Sequence, residues 1–140
     1  MSVKILSIQE NSLAEDHHLQ KNDKITKINN HPIDDFLDFQ FYSADEILHF
    51  RILKNNGEYE EITIHQNWEI PIGIEVEQPK CRSCINDCVF CFVSQLKPDL
   101  REALYLKDGD YRFSFIYGNF ITLTNLTKKD YQKIITQKLT

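Results

Sequence analysis

The feature that most constrains this chain is a cluster of four cysteines, the only four among its 140 residues. They lie in the sequence Cys81-Arg-Ser-Cys84-Ile-Asn-Asp-Cys88-Val-Phe-Cys91. Thiolates this close in a chain can converge on one metal ion or cluster. The last three have the spacing C-x3-C-x2-C, so this segment is predicted to form a loop around a metal.

The spacing leaves several kinds of site open. A 4Fe–4S cluster held by Cys84, Cys88 and Cys91 would leave one iron free for a ligand from outside the protein. A tetrahedral zinc site would use all four cysteines, although structural zinc sites usually draw two pairs from separated knuckles. The bacterial ferredoxin run has different gaps and a following proline, which is absent here. Structural disulfides are disfavoured, because the start Met-Ser-Val-Lys has no apolar signal segment and predicts a reducing cytoplasm.

Composition excludes some classes of partner. The chain is 41% apolar and 26% charged, which suits one domain or a small domain with part of another. Its net charge of -5, with scattered lysines and arginines, argues against nucleic acid as a partner. No apolar run approaches the roughly 18 residues that would span a bilayer, so no membrane association is predicted.

The first half has the pattern of a compact β-rich domain. A strand is predicted at 3–8, a short helix begins near Ser12 in the capping-box sequence Ser-Leu-Ala-Glu, and residues 24–29 alternate like a half-buried strand. A second helix is predicted after Pro32, with Asp34 and Asp35 at its start. A hairpin follows, with strands that carry Leu48, Phe50 and Ile52 on one face and Ile62 and Ile64 on another, joined by Asn55-Asn56-Gly57.

This order of elements and the sequence NSLAEDHHLQKNDKITKINNHPI resemble a bacterial-type PDZ domain. Asp23 corresponds to the aspartate of that family's turn, and Asn22 replaces the usual glycine, since asparagine tolerates the left-handed conformation. The resemblance implies a domain at 1–66 that binds a peptide or protein by adding a strand to a sheet edge. A role in packing within the chain is the alternative, because no Gly-rich carboxylate-binding loop is recognisable near 3–8.

The second half is predicted to begin with a linker and strand at 67–77 that lead into the cysteine loop. Short helical turns are expected at 92–96 and 100–104, separated by a proline. Aromatic and β-branched residues favour strands at 112–117 and 120–124. A final helix is expected after Thr127, with Asp130 as its capping partner.

The segments CINDCVFCFVSQL and REALYLKDGDYRFSFIYGNFITLTNL, with the PDZ-like start, are similar to an uncharacterised bacterial family. Its members join a PDZ-like domain, a region of the radical S-adenosylmethionine (SAM) type and a C-terminal domain of unknown function. The resemblance implies that Cys84, Cys88 and Cys91 hold a 4Fe–4S cluster, that SAM binds its open iron, and that Phe90 shields it beside the adenosyl group. Ser94 and Gly109 stand where acidic residues are usual.

The predicted fold class is α+β, with a small PDZ-like β-barrel domain followed by an incomplete α/β segment, a partial radical SAM barrel, at 78–140. Only 63 residues follow Glu77, whereas such a barrel needs about six strand–helix units of about 30 residues each. The chain is therefore expected to be an N-terminal fragment whose partner is the missing C-terminal portion of the same protein.

Two alternatives stay open at this point. A charged run near the cysteines is either an ion-paired surface or a set of contacts to SAM or substrate; it consists of Arg101, Lys107, Asp108, Asp110 and Arg112. The whole chain could instead be a non-enzymatic PDZ-type binding module with a structural zinc site made of all four cysteines. Cys81 distinguishes the zinc site from the 4Fe–4S cluster, because a zinc site of four cysteines needs Cys81 whereas a cluster held by three cysteines does not.

Overall fold

A computed structural model describes residues 2–107, 109–118 and 121–139, and the chain divides into two compact units, Met1–Pro79 and Lys80–Thr140. The predicted α+β class is confirmed. In chain order, the strands are β1 (Val3–Ile8), β2 (Lys24–Ile28), β3 (His31–Pro32), β4 (Ile47–Leu53), β5 (Tyr59–His65) and β6 (Ile74–Val76). The α-helices are α1 (Leu13–Asp16), α2 (Phe36–Tyr42), α3 (Tyr111–Tyr117) and α4 (Lys128–Gln137), and a 3-10 helix spans Glu102–Tyr105.

The first unit is built on one open antiparallel sheet. Its strand order is β5-β4-β2-β1-β6, and β3 pairs with β2 outside this path. Side chains alternate between buried and exposed along β4 and β5, because successive residues of a strand point to opposite faces. The predicted hairpin faces are confirmed, and the buried residues are Leu48, Phe50, Ile52, Ile62 and Ile64.

The sixth strand belongs to the sheet of the first unit. β6 confirms the strand predicted just before the cysteine loop, and it pairs antiparallel with β1 through Ile5 and Val76. β6 is the last strand in the order, so it is an edge strand of this sheet.

A buried aspartate organises the turn before β2. Asn22 has φ 76°, which confirms the left-handed conformation expected at that position. Asp23 is fully buried, accepts hydrogen bonds from the amides of Gln20 (3.0 Å) and Asn55 (3.2 Å), and pairs with Lys54 Nζ at 2.7 Å. These partners offset the cost of burying the carboxylate and tie the turn to the β4–β5 connection.

Helix starts in the first unit follow the predicted capping chemistry with one difference. Ser12 caps α1 by accepting from the Glu15 amide at 3.3 Å. The Glu15 carboxylate, however, accepts from the Asn11 amide at 2.7 Å, so the predicted return bond to Ser12 is replaced by one a residue earlier. Asp35 caps α2 and forms a complete capping box with Asp38, as the Pro-Ile-Asp-Asp sequence indicated for a helix start.

In the part of the second unit that the structure describes, the elements are helical. The strand predicted at 112–117 is wrong, because these residues lie in α3. Its ends explain the difference: the Asp110 side chain accepts from the Arg112 amide, and Gly118 closes the helix in the left-handed conformation with φ 71°. Strand propensity is weak against two such caps.

Other predicted elements of the second unit have mixed outcomes. Phe120 lies outside the described residues. The described positions 121–124 form no strand, so the strand predicted at 120–124 is wrong there. The turns expected at 92–96 and 100–104 are present as a turn and as the 3-10 helix. α4 confirms the last prediction, since Thr127 and Asp130 form its capping box.

Candidate metal centre

The cysteine loop carries four free thiols. Cys88 is exposed, whereas Cys81, Cys84 and Cys91 are half-buried. The amide of Cys91 donates to the carbonyl of Cys88 at 3.0 Å, and the Gln95 amide donates to the carbonyl of Cys91 at 3.1 Å. The second half of the loop is therefore organised by local turns.

The first half of the loop is held by residues far away in sequence. The Cys84 amide donates to the carbonyl of Lys107 at 2.7 Å, and the Gly109 amide donates to the carbonyl of Arg82 at 3.1 Å. A Cβ added to Gly109 would lie only 2.8 Å from both the N and Cα atoms of Cys84. An acidic residue in place of Gly109 would therefore force the backbones apart, which explains the glycine at this position.

Polar side chains of 122–125 reach the same part of the loop. The Thr122 hydroxyl oxygen lies 3.6 Å from the Cys84 sulfur and 3.0 Å from the Thr124 hydroxyl oxygen. Asn125 Nδ2 donates to the carbonyl of Ser83 at 3.4 Å. Cys84 thus contacts chain segments on its C-terminal side through both its backbone and its sulfur.

The third cysteine of the motif has a different environment. Hydrogen bonds from the Ser94 side chain and backbone lower the pKa of the Cys91 thiol. Hydrogen bonds to a thiolate stabilise its charged form. Ser94 therefore favours a thiolate at Cys91.

The buried ion pair of Asp110 and Arg112 binds the backbone at the start of the loop. Asp110 is fully buried and accepts from the Arg82 amide (3.0 Å), the Arg112 amide (3.1 Å) and Arg112 Nε and Nη2 (2.9 and 2.6 Å). Arg112 Nη2 also donates to the carbonyl of Lys80 at 3.2 Å. Burial acts to raise the pKa of Asp110, but the bonds from Arg112 and the amides outweigh it and lower that pKa.

A second ion pair connects the loop to the last helix. Arg82 donates from Nη1 and Nη2 to the two Asp130 oxygens at 2.9 and 3.0 Å. The amide and hydroxyl of Thr127 donate to the same carboxylate. Burial opposes ionisation of Asp130, yet the Arg82 and Thr127 bonds prevail and lower its pKa to about 2. The carboxylate therefore caps α4 and binds the cysteine loop at once.

The depressed pKa of Asp130 predicts acid sensitivity. A carboxylate whose folded pKa lies below its unfolded value stabilises the fold above the unfolded pKa and loses that effect as pH falls through the folded pKa. We expect Asp130 to contribute about 1–2 kcal/mol that disappears between about pH 4 and about pH 2, a contribution smaller than the full shift implies because solvent reaches Arg82.

Chemical unfolding at several pH values in this window measures the effect. The Asp130→Asn variant should show a shallower loss of unfolding free energy than the wild type. It keeps Asp110, so the difference between the two proteins isolates Asp130. Identical slopes for both proteins would contradict the prediction.

Three of the predicted ligands, Cys84, Cys88 and Cys91, share this loop, and their ligand role stays a prediction. Across residues 2–107, 109–118 and 121–139, no three His, Cys, Asp or Glu side chains are grouped so as to hold a metal ion. The donor set nevertheless fits a cluster, since all three thiols are free and Cys88 is open to solvent. Phe90 lies in the same loop and is 77% exposed. The Cys81 sulfur lies 3.8 Å from the carbonyl oxygen of Arg82.

The charged run near the cysteines has several environments. Asp110 and Arg112 form the buried pair, so this part of the run is ion-paired but is not the surface that the first alternative described, while Arg101 is exposed. Lys107 contributes its carbonyl to Cys84, and Asp108 lies outside the described residues.

The sequence prediction missed the ion pair between Arg82 and Asp130. They are 48 positions apart, and no periodicity links them. Asp110 could have been recognised as a helix cap from the sequence. Aspartate is a favoured residue just before a helix, and a glycine, a common residue just after a helix, follows one short helix later.

A family model described as "Radical SAM-like domain" matches residues 66–140, which is more than half of the chain. The chain belongs to this family. No curated protein matches it.

Solved structures also match the chain. One is the PDZ domain of an SdrC-like protein from Listeria innocua, with 22% sequence identity and a TM-score of 0.46. The match covers 56% of this chain and 97% of that domain. Among the described residues, the structure contains no helix of the length and apolar character needed to cross a membrane.

Proposed function

We propose that this chain binds a 4Fe–4S cluster through Cys84, Cys88 and Cys91 and forms part of a radical SAM enzyme. One observation carries the proposal: three free thiols with C-x3-C-x2-C spacing lie inside the region that matches the radical SAM-like family. When bound, such a cluster supplies one electron for the reductive cleavage of SAM.

Residues of the loop have separate tasks in this proposal. Cys84 is the anchored ligand, because its amide binds Lys107 and its backbone packs on Gly109. Cys88 and Cys91 are linked by a local turn, in which the Cys91 amide donates to the Cys88 carbonyl. Phe90 precedes the last ligand with its ring exposed, and it shields the cluster and the adenosyl group from water.

Apolar exposure in the second unit supports a further part of the proposal. Among the described residues of the second unit, Tyr111 is the one large apolar side chain that is buried. Several others are each more than 70% exposed, among them Ile85, Val89, Phe92 and Ile135. Free-standing domains rarely expose so much apolar surface. We propose that further strands and helices of the same protein cover this surface and complete the radical SAM barrel.

The first unit offers a groove for a partner. It lies beside β6 and α2, has a volume of about 530 Å³, and is lined by Leu6, Phe36, Phe39, Gln40, Ile74, Glu75, Val76 and Gln78. β6 is the terminal strand of the sheet, and no described strand pairs with its outer edge, which is the kind of edge that strand addition uses. We propose that an extended segment of a peptide or protein partner binds here.

Anaerobic reconstitution tests the cluster proposal. The chain is supplied with iron and sulfide, reduced, and studied by electron paramagnetic resonance with and without SAM. We expect a signal from a four-iron cluster that changes when SAM is added, because SAM binds an iron that has no protein ligand. Tightly bound zinc with no iron signal would favour the alternative, a PDZ-type binding module with a structural zinc site made of all four cysteines.

A further inference from the structure

The sulfur of Cys84 has a hydroxyl neighbour that the ligand motif does not predict. Thr122 Oγ1 lies 3.6 Å from this sulfur although 38 residues separate the two in sequence. The Cys91 thiol, by contrast, takes its hydrogen bonds from Ser94, three residues away. The sulfur of Cys84 therefore contacts a hydroxyl from a distant segment.

The direction of the hydrogen bond between Thr122 and Cys84 follows from the chemistry of the Cys84 sulfur and of the Thr122 and Thr124 hydroxyls. A cysteine that ligates a cluster is a thiolate and has no proton to donate. Thr122 has one hydroxyl proton and lone pairs that accept. With a thiolate at Cys84, only Thr122 can donate across their 3.6 Å contact, and the Thr124 hydroxyl, 3.0 Å away, is then the group that donates to Thr122. When Cys84 ligates the cluster, the two contacts therefore allow the order of donation Thr124 to Thr122 to Cys84.

We propose that Thr122 is a positioning residue that donates to the ligand sulfur of Cys84 and raises the reduction potential of the cluster. This inference rests on the proposed function. Reduction adds negative charge to the cluster and its sulfurs, and a donor aimed at a sulfur stabilises that charge. Thr124 supports the donor by orienting its hydroxyl.

Thr122 is not required to hold its own segment against the loop. Asn125 binds the carbonyl of Ser83, and its Nδ2 lies close to Gly109. Thr122 is also exposed, so a substitution there leaves no cavity. A change in potential can therefore be measured without loss of the loop.

The experiment compares four variants of the full chain after anaerobic reconstitution. Thr122→Val removes the hydroxyl at nearly constant shape, and Thr122→Ser restores it. Thr124→Val removes only the supporting hydroxyl. Thr136→Val is the matched control, since Thr136 is an exposed threonine of α4. Iron content is measured first, and the midpoint potential is then determined by redox titration monitored by electron paramagnetic resonance.

For Thr122→Val we expect reduction to become about tenfold less favourable, which is a midpoint about 59 mV lower for a one-electron couple. Thr122→Ser and Thr136→Val should stay at the wild-type potential, and Thr124→Val should shift in the same direction by less. Loss of the cluster in Thr122→Val, with normal binding in Thr122→Ser, would overturn the inference, because the hydroxyl would then be needed to hold the cluster rather than to set its potential.

Other outcomes overturn the inference. They are an unchanged potential in Thr122→Val, an equal shift in Thr136→Val, or loss of the cluster in Thr122→Ser. A wild-type chain that binds no four-iron cluster would overturn the proposed function itself. The iron content of the wild type therefore separates failure of the proposed function from failure of this inference.

Discussion

Replacement of Cys88 by serine is expected to lower the iron content of the reconstituted chain from about four atoms to nearly none. Three protein ligands hold such a cluster, so loss of any one leaves two irons without a protein thiolate. Cys84→Ser and Cys91→Ser should have the same effect. Iron and sulfide analysis, together with the visible absorption of the cluster, measures the result.

Cys81→Ser is the matched control for these three variants. It removes a cysteine from the same loop but keeps the C-x3-C-x2-C triplet, so about four irons should remain. A zinc site made of all four cysteines would behave differently, because loss of Cys81 would weaken zinc binding as much as loss of any other ligand. Equal loss of metal in all four variants would contradict the proposed cluster and favour zinc.

Replacement of Asp110 by alanine is expected to destabilise the second unit by about 3–5 kcal/mol. The substitution leaves the Arg112 guanidinium buried beside a missing carboxylate and removes the acceptor for two backbone amides. A buried charge that loses its partner costs more than the pair contributed. Guanidinium unfolding followed by circular dichroism measures the loss, and hydrogen exchange assigns it to residues of the second unit.

Asp87→Asn is the control for this prediction. Asp87 is an exposed aspartate of the same unit, so its substitution should change the unfolding free energy by no more than about 0.5 kcal/mol. A loss below about 1 kcal/mol for Asp110→Ala would mean that the buried pair does not hold the loop. Hydrogen exchange at Arg82 is an independent check, because its amide donates to Asp110.

Sequence patterns predicted the first unit well, because its signals are local. Alternation along 48–52 and 62–64 reports which face of a strand is buried, and the caps at Ser12 and Asp35 depend on neighbours within four residues. The same reasoning failed at 112–117. Aromatic and β-branched residues favoured a strand there, but the caps Asp110 and Gly118 and the buried contacts of Arg112 stabilise a helix.

The spacing of Cys84, Cys88 and Cys91 is a property of the sequence alone, and so is the prediction that these residues serve one site. The surroundings of these cysteines depend on the folded chain: Gly109 packs against Cys84, Arg82 pairs with Asp130, and Thr122 contacts the Cys84 sulfur. The physical reason is distance along the chain. Packing contacts, hydrogen bonds and ion pairs between residues 25 to 48 positions apart have no periodic signal, because they exist only after the chain has folded.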